Sequence, residues 1–277
     1  ITLIMFSLFA LISCDGTTNK TDSAYVDDSA KAEMVEMHKW ANSIFAELPT
    51  DVPAEHNPIT NEKVSLGKKL YYDKILSKDI TISCNSCHDI AKYGVDQLPT
   101  SPGNDGENGT RNSPTTFNAA LHISQFWDGR EPHVEAQAGG PVLNPVEMAM
   151  PDEDAVVARL KAHSEYPALF AAAFPDSEDA ITYENMKMAI GAFERKLITP
   201  SRFDNYLAGD IEVLNEKELL GMKDFKEAGC FTCHMGSAMG GNMFQKFGIY
   251  GDYWEMTKST NIDEGKFEAT QNENDKY

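Results

Sequence analysis

The pentapeptide CNSCH at residues 84–88 recurs as CFTCH at residues 230–234, and these two stretches decide how the chain folds. The protein has 277 residues and five cysteines, of which the two copies use four. The repeated cysteine and histidine positions are Cys84, Cys87, His88, Cys230, Cys233 and His234. A chemical explanation must account for both cysteine pairs and for the histidine that follows each.

In a C-x-x-C-H element the two thiols can bond to the vinyl groups of a haem, and the adjacent imidazole then ligates the iron. Other interpretations explain less. A thioredoxin-like redox pair needs a βαβ context, which is not found here. A zinc site needs both pairs to converge and leaves each histidine without a role. A disulfide framework does not explain two identical spacings. We therefore predict two covalently attached c-type haems, with His88 and His234 as proximal iron ligands.

The composition is that of a soluble globular protein, with 42% hydrophobic and 24% charged residues. The formal net charge of −19 argues against nucleic-acid binding, because the phosphate backbone is recognised by basic patches. The same charge favours a partner with a basic or neutral docking face, although a uniformly solvated acidic surface would explain it equally well.

The first residues resemble an export signal. Residues 1–12 form an apolar run that is too short to span a bilayer, and no Met or basic segment precedes it. Leu11-Ile12-Ser13-Cys14 resembles a bacterial lipobox, which predicts cleavage before Cys14 and a lipid on its thiol. The alternative is an ordinary cysteine after a leader. Both interpretations predict export, and the lipobox adds anchoring to a membrane facing the periplasm.

Apolar residues recur at spacings of three and four, as in amphipathic helices. The predicted helices cover residues 29–48, 64–72, 152–163, 165–174, 182–197 and 216–228. Turn signals make residues 99–114 a long loop and predict a turn at Gly139-Gly140-Pro141. No convincing strand is found. We predict an all-α protein of two similar helical units, with a boundary at Thr199-Pro200.

Five blocks of sequence resemble the bacterial di-haem cytochrome c peroxidases, in that family's order and spacing. They are LGKKLYYDKILSKDITISCNSCHDIAKYGVDQLPTSPGN (66–104), RNSPTTFNAA (111–120), QFWDGR (125–130), EAQAGGPVLNPVEM (135–148) and AFERKLITPSRFDNYLAGD (192–210). The resemblance implies two cytochrome-c-like helical domains, each around one haem. After a signal and polar tether at residues 1–28, we expect a peroxidatic domain at 29–198 and an incomplete electron-transfer domain at 199–277.

The resemblance also implies an activity. Hydrogen peroxide would be reduced to water at the N-terminal haem. The electrons would come from a small redox protein, a cytochrome c or a cupredoxin, and would enter at the C-terminal haem. A homodimer is a further expectation from the family.

Particular residues match the family's functional positions. Gln137 and Glu147 match the distal pair, in which Glu147 would transfer a proton and Gln137 would orient peroxide. Without the resemblance, Glu147 would be a surface carboxylate. Trp127 matches a tryptophan between the haems, a position that is compatible with core packing. Asn112 matches a calcium ligand, although an Asn before Ser-Pro is often a turn residue.

Two features depart from the family pattern. The distal His that often caps the peroxidatic iron lies sixteen residues past the proximal His in the family, and here that position is Asn104. An amide is a poor iron ligand, so we expect an open or weakly water-bound iron at rest. His122 is a conceivable substitute in a segment that should pack as core.

The second departure concerns the C-terminal haem, whose sixth ligand in the family is a Met well beyond the second motif. Met235 and Met239 lie too near His234 to reach the opposite face, so we expect that the axial Met and further calcium ligands follow Tyr277. We accordingly interpret the chain as truncated at both ends.

Two other functions compete with the peroxidase interpretation. A non-catalytic di-haem electron carrier would place a second strong ligand on each iron. A di-haem oxidase that modifies another protein would share the haem motifs, so the sequence separates it poorly from a peroxidase.

Overall fold

The structure is a computed structural model that describes residues 28–276, and this part of the chain is helical. Its α-helices are α1 (Asp28–Ile44), α2 (Asn61–Tyr72), α3 (Cys84–Cys87), α4 (Val134–Leu143), α5 (Glu153–Ala162), α6 (Tyr166–Ala173), α7 (Tyr183–Glu194), α8 (Arg202–Leu207), α9 (Glu216–Glu227), α10 (Tyr253–Thr257) and α11 (Phe267–Thr270). Short 3₁₀ helices cover Lys74–Leu76, Ile90–Lys92, Ala119–Leu121, Cys230–Thr232 and Glu273–Asp275. Within residues 28–276 the extended pairings are three isolated bridges, so the predicted all-α class is confirmed.

Several helices begin where a side-chain oxygen can accept a backbone N–H of the first turn. Thr60 caps α2, Asp152 caps α5 and Thr182 caps α7 in this way. At α9, Asn215 and Glu218 form a reciprocal capping box. These caps satisfy N–H groups that have no partner inside the helix, and they explain why the helices start at these residues.

The larger hydrophobic core lies between α2, α4, α5, α6 and α7. Its fully buried side chains include Leu70, Tyr166, Phe170 and Met186. Helices α2 and α7 make the closest contact, because a Cβ on Gly67 would overlap the backbone carbonyl of Ala189. Ile75 and Leu76, in the segment that precedes the CNSCH motif, belong to this core.

A smaller core is built from α1, α8 and α9. Ala41, Phe45, Tyr206, Leu207 and Met222 form its buried part. The backbone of Gly236 donates to the carbonyl of Ile44 at 3.0 Å, so the segment after the second motif rests on the end of α1. Helix α1 therefore packs with residues that follow position 200 rather than with the larger core.

The turn predicted at Gly139-Gly140-Pro141 is wrong, because these residues form the second half of α4. Tyr183 donates a hydrogen bond to the Gly139 carbonyl at 2.6 Å, and the ring of Phe126 packs over Gly140. The small residues thus let neighbours approach the helix, and tertiary contacts outweigh their turn propensity. Pro141 has no N–H to donate toward Gln137, and α4 ends at Leu143.

Residues 99–114 form the predicted loop, with an isolated bridge between Pro102 and Asn108. Across residues 28–276, none of the helices has the length and apolarity required to cross a bilayer. The predicted lipobox at Cys14 lies outside the described residues.

Candidate active site

The first C-x-x-C-H element forms the single turn α3 and is held by the larger core. Tyr71, fully buried on α2, donates its hydroxyl hydrogen to the backbone carbonyl of His88 at 2.7 Å. Its oxygen also lies 3.1 Å from the hydroxyl of Thr116. The backbone of His88 is therefore held in place by α2 and by the segment that follows the long loop.

The ring of His88 has the tautomer that an iron ligand requires. Its Nδ1 lies 2.8 Å from the carbonyl oxygen of Pro114, which can only accept, so Nδ1 carries the proton. The lone pair is then on Nε2, where it can ligate a metal. Burial lowers the pKa of His88 and favours the neutral imidazole.

The second element has the same arrangement in a more exposed place. Cys230–Thr232 form a 3₁₀ turn directly after α9, and Nδ1 of His234 donates to the carbonyl of Met239 at 3.1 Å. All four thiols are free, and Cys230 is exposed. Both elements thus present two available thiols and an Nε2 lone pair, which is the donor set for a covalently attached haem.

Glu147 lies on the side of the CNSCH motif where the long loop folds back. Its carboxylate accepts a hydrogen bond from the Asn144 amide at 3.1 Å, and its backbone carbonyl accepts from the N–H of Asn104 at 2.7 Å. Burial raises the pKa of the Cys87 thiol, and the charges of Asp96 and Glu147 raise it further. The last effect shows that Glu147 is within electrostatic reach of this thiol.

Opposing influences set the pKa of the Glu147 carboxyl group. Burial raises its pKa, whereas the positive charge of Arg130 and the hydrogen bond from Asn144 lower it, and the net direction is upward. A half-buried carboxyl with a raised pKa holds a proton more readily than an exposed one, which suits a group that accepts and returns a proton as a general acid–base. Gln137 is half-buried on α4, the helix that precedes Glu147 in the chain.

The side-chain amide of Asn104 is fully engaged in hydrogen bonds. Its carbonyl oxygen accepts from the backbone N–H of Asp79 at 3.1 Å and from the Thr81 hydroxyl at 3.0 Å. Its amide nitrogen donates to the carboxylates of Asp79 at 2.9 Å and Asp105 at 2.8 Å. These bonds tie the long loop to residues 78–81, and the ion pair between Lys78 and Asp105 reinforces the attachment.

Trp127 belongs to a segment that contacts the long loop and the residues after the second motif. Its indole N–H donates to the Asn112 carbonyl at 2.8 Å, and 59% of the residue is exposed. Two residues on, Gly129 is in contact with the ring of Phe244, which follows the second motif. The role of Trp127 between two haems stays a prediction, and this placement is compatible with it.

The predicted calcium ligand, Asn112, uses its side-chain nitrogen to donate to the Leu98 carbonyl at 2.7 Å, and calcium at this residue stays a prediction. Its neighbour Arg111 binds the carboxylates of Asp128, Asp263 and Glu268. His122 packs against Gly241 and donates its backbone N–H to Ala119, so it lies beside the C-terminal segment. This position does not favour His122 as a substitute ligand at the first haem.

Sequence reasoning missed a buried ionic cluster. Arg195 donates to both oxygens of Glu135, at 2.6 and 2.9 Å, and both side chains are almost fully buried. Glu194 is also buried, and burial together with the charge of Glu135 raises its pKa to about 8. The available signal was the Glu194-Arg195 pair directly after the apolar face of α7.

The helical fold and the two C-x-x-C-H elements define a c-type haem protein with two attachment sites. Residues 61–212 match the family model described as di-haem cytochrome c peroxidase. The chain belongs to the di-haem cytochrome c peroxidase family, and the two attachment elements account for the two haems.

Two curated relatives and one solved structure illustrate the similarity. The chain is 38% identical to the cytochrome c551 peroxidase of Pseudomonas aeruginosa, over 87% of this chain and 70% of that protein. It is 40% identical to the cytochrome c551 peroxidase of Nitrosomonas europaea, over 79% of this chain and 64% of that protein. A crystal structure of a MauG-like protein associated with microbial copper homeostasis aligns with a TM-score of 0.70 and 30% identity, covering 83% of this chain and 70% of the other. The chain thus spans about two thirds of the length of these relatives.

Proposed function

We propose that this protein is a cytochrome c peroxidase that reduces hydrogen peroxide to two waters with two electrons and two protons. The observation that carries the proposal is the half-buried Glu147 beside the first attachment site, with its raised pKa, in a chain similar to two cytochrome c551 peroxidases. The bound haem would supply the redox-active iron at which peroxide is reduced.

In this proposal the protein's own residues bind peroxide and move its protons. Glu147 takes the proton from the peroxide oxygen nearer the N-terminal haem and returns it to the oxygen that leaves as water. Gln137 donates a hydrogen bond that orients the peroxide. The hydrogen bond from Asn144 holds the Glu147 carboxylate in one direction, and the nearby charge of Arg130 opposes the upward effect of burial on its pKa.

Electrons would arrive from a small redox protein at the C-terminal haem and pass to the N-terminal haem, with Trp127 between them. The net charge of −19 favours a donor with a basic or neutral docking face.

We also propose export to the periplasm, anchoring through Cys14, the domain bounds 29–198 and 199–277, a calcium ion at Asn112 and a homodimer. Within those bounds, α1 would cross over to pack on the second domain, as its contacts with Tyr206 and Leu207 support.

The activity is tested with the haem-loaded protein, after mass spectrometry has established two added haem masses on the polypeptide. We expect hydrogen peroxide to oxidise a reduced cytochrome c only when the enzyme is present, with two donor molecules consumed per peroxide. Haem-loaded protein that accepts electrons but leaves peroxide intact would instead identify an electron carrier. Oxidation of a protein substrate without turnover of reduced cytochrome c would identify the protein-modifying oxidase.

The resting state is expected to need no reductive activation. The four hydrogen bonds of Asn104 occupy its amide and hold the loop, so the iron facing this loop should be five-coordinate or weakly water-bound when oxidised. We expect a ferric high-spin component in the optical and electron paramagnetic resonance spectra. A fully low-spin, bis-histidine signal from the N-terminal haem would contradict this prediction.

A pair of variants sharpens that measurement. Asn104→His places an imidazole in the loop and removes the bonds to residues 79–81, so it should increase the low-spin fraction and lower activity before reduction. Asn108→His makes the same change at an exposed position of the same loop, and its spectrum should match the parent protein. Equal effects of both substitutions would mean that loop disturbance, not ligation, causes the change.

A further inference from the structure

Two histidines and a buried carboxylate converge on α4, at a place that the proposed peroxidase function does not use. His56 lies in the connector before α2, His133 is the N-cap of α4, and Glu135 is in its first turn. Oε2 of Glu135 is 3.3 Å from Nε2 of His56 and 3.1 Å from Nδ1 of His133. Within residues 28–276 this is the group of three such side chains whose ligand atoms all lie within 4.8 Å of one another.

The contacts of His133 place two hydrogen-bond acceptors opposite each other in this cluster. The N–H of Ala136 donates to Nδ1 of His133 at 3.2 Å, so Nδ1 carries a lone pair. The same atom faces Oε2 of Glu135, which is also an acceptor, at 3.1 Å. Two acceptors at this separation repel each other unless a proton on Nδ1 or a bound cation lies between them. A cation bound to Nδ1 and Oε2 also removes this repulsion, and it takes the Nδ1 lone pair in place of the 3.2 Å hydrogen bond from Ala136.

The distances suit a tetrahedral ion. With metal–ligand bonds of about 2.0–2.1 Å, neighbouring ligand atoms of a tetrahedral zinc site are about 3.3 Å apart. The two separations from Oε2 of Glu135, 3.1 and 3.3 Å, agree with that edge length, and the two histidine nitrogens lie within 4.8 Å of each other. Imidazole nitrogens with one carboxylate oxygen favour zinc and neighbouring late first-row divalent ions over calcium or magnesium.

The surroundings allow an ion to enter and orient the carboxylate that would bind it. The His56 and His133 side chains are 41% and 32% exposed, so water can complete the coordination, whereas Glu135 is fully buried. Arg195 and Asn57 bond to Glu135 as outer partners and fix its direction. The positive charges of Arg195 and Lys63 nearby weaken the attraction of a dication, which favours moderate affinity.

We propose that His56, His133 and Glu135 form a binding site for a divalent transition ion of the zinc class, with micromolar affinity. Such an ion would join the connector before α2 to the start of α4, the helix that carries Gln137. The proposal stands independently of the peroxidase function.

The test measures zinc binding to the haem-loaded protein, in which iron already occupies the two motif histidines. Equilibrium dialysis against Zn²⁺ at neutral pH, followed by elemental analysis, should give one zinc per chain. His133→Asn keeps a good N-cap for α4 but removes the imidazole, and it should weaken zinc binding at least about tenfold. His56→Ala should have a similar effect.

His163→Asn is the matched control, because Nδ1 of His163 also accepts a backbone N–H, from Glu165 at 3.2 Å, away from the cluster. Its zinc affinity should equal that of the parent protein, and zinc should raise the unfolding temperature of both but not of His133→Asn. The proposal is overturned if the parent protein binds no zinc at micromolar concentrations. It is equally overturned if His133→Asn and His56→Ala bind zinc as the parent does.

Discussion

Replacement of Glu147 with glutamine is expected to lower kcat/KM for hydrogen peroxide by roughly 10²- to 10⁴-fold, the usual contribution of a positioned general acid–base. The amide has the shape of the carboxyl group and can still accept the hydrogen bond from Asn144. The variant should therefore fold and bind both haems. It cannot accept and return a proton at the position where peroxide would be cleaved, so the loss should appear in catalysis.

The pH dependence gives an independent measure of the same role. Burial raises the pKa of Glu147, so its carboxylate is protonated at a higher pH than an exposed glutamate. As a general base it acts in the deprotonated form, and kcat/KM of the parent enzyme should fall as the pH decreases through this raised pKa. The Glu147→Gln profile should lack that fall.

Glu107→Gln is the matched control, because Glu107 is an exposed carboxylate in the neighbouring loop. It should retain the parent activity and pH profile. Glu147 would be removed from the mechanism if Glu147→Gln turned over peroxide at the parent rate, with both haems present and an unchanged resting spectrum.

Replacement of Arg195 with methionine is expected to destabilise the protein by about 3–5 kcal/mol, because it leaves an uncompensated buried charge. Glu135 would lose its hydrogen bonds of 2.6 and 2.9 Å to the guanidinium group. Glu194, whose pKa is raised to about 8 by burial and by the charge of Glu135, would lose the positive charge that opposes this rise. Denaturant unfolding of the haem-loaded protein at neutral pH measures the change.

This destabilisation should shrink in acid. Burial alone would raise the pKa of Glu135, but the hydrogen bonds from Arg195 and Asn57 outweigh it and lower the pKa to about 2. A carboxylate with a lowered folded-state pKa stabilises the fold above its unfolded pKa of about 4.3, and that contribution is lost as the pH falls toward the folded value. The difference between the parent and Arg195→Met should therefore be largest at neutral pH.

Two further variants separate charge burial from loss of packing. Arg202→Met removes an exposed arginine that pairs with Glu218, and it should change stability by only about 0–1 kcal/mol. Combining Arg195→Met with Glu135→Leu removes both charges and should recover much of the stability lost in the single variant. Equal destabilisation in the single and double variants would show that packing, not the unpaired charge, is responsible.

The sequence by itself was sufficient for the features that depend on local pattern. Two C-x-x-C-H elements identify covalent haem attachment because thiols and imidazole at this spacing belong to one short turn, whatever surrounds it. Helices α1, α2, α5, α6, α7 and α9 were predicted because their apolar residues follow the helical repeat, whereas α4 and α8 were not. The presence of Asn104 where the family often has a distal histidine was also apparent from the sequence, because the position is read directly from the spacing after His88.

Only the tertiary structure decided the features that depend on residues far apart in the chain. The turn signal at residues 139–141 failed because Tyr183 and Phe126 pack on those small residues and stabilise the helix. The pairing of Glu135 with Arg195, the approach of His56 and the packing of α1 on α8 join residues separated by 60 to more than 150 positions. Such contacts produce no periodic pattern in the local sequence, because burial and charge compensation depend on which surfaces meet after folding.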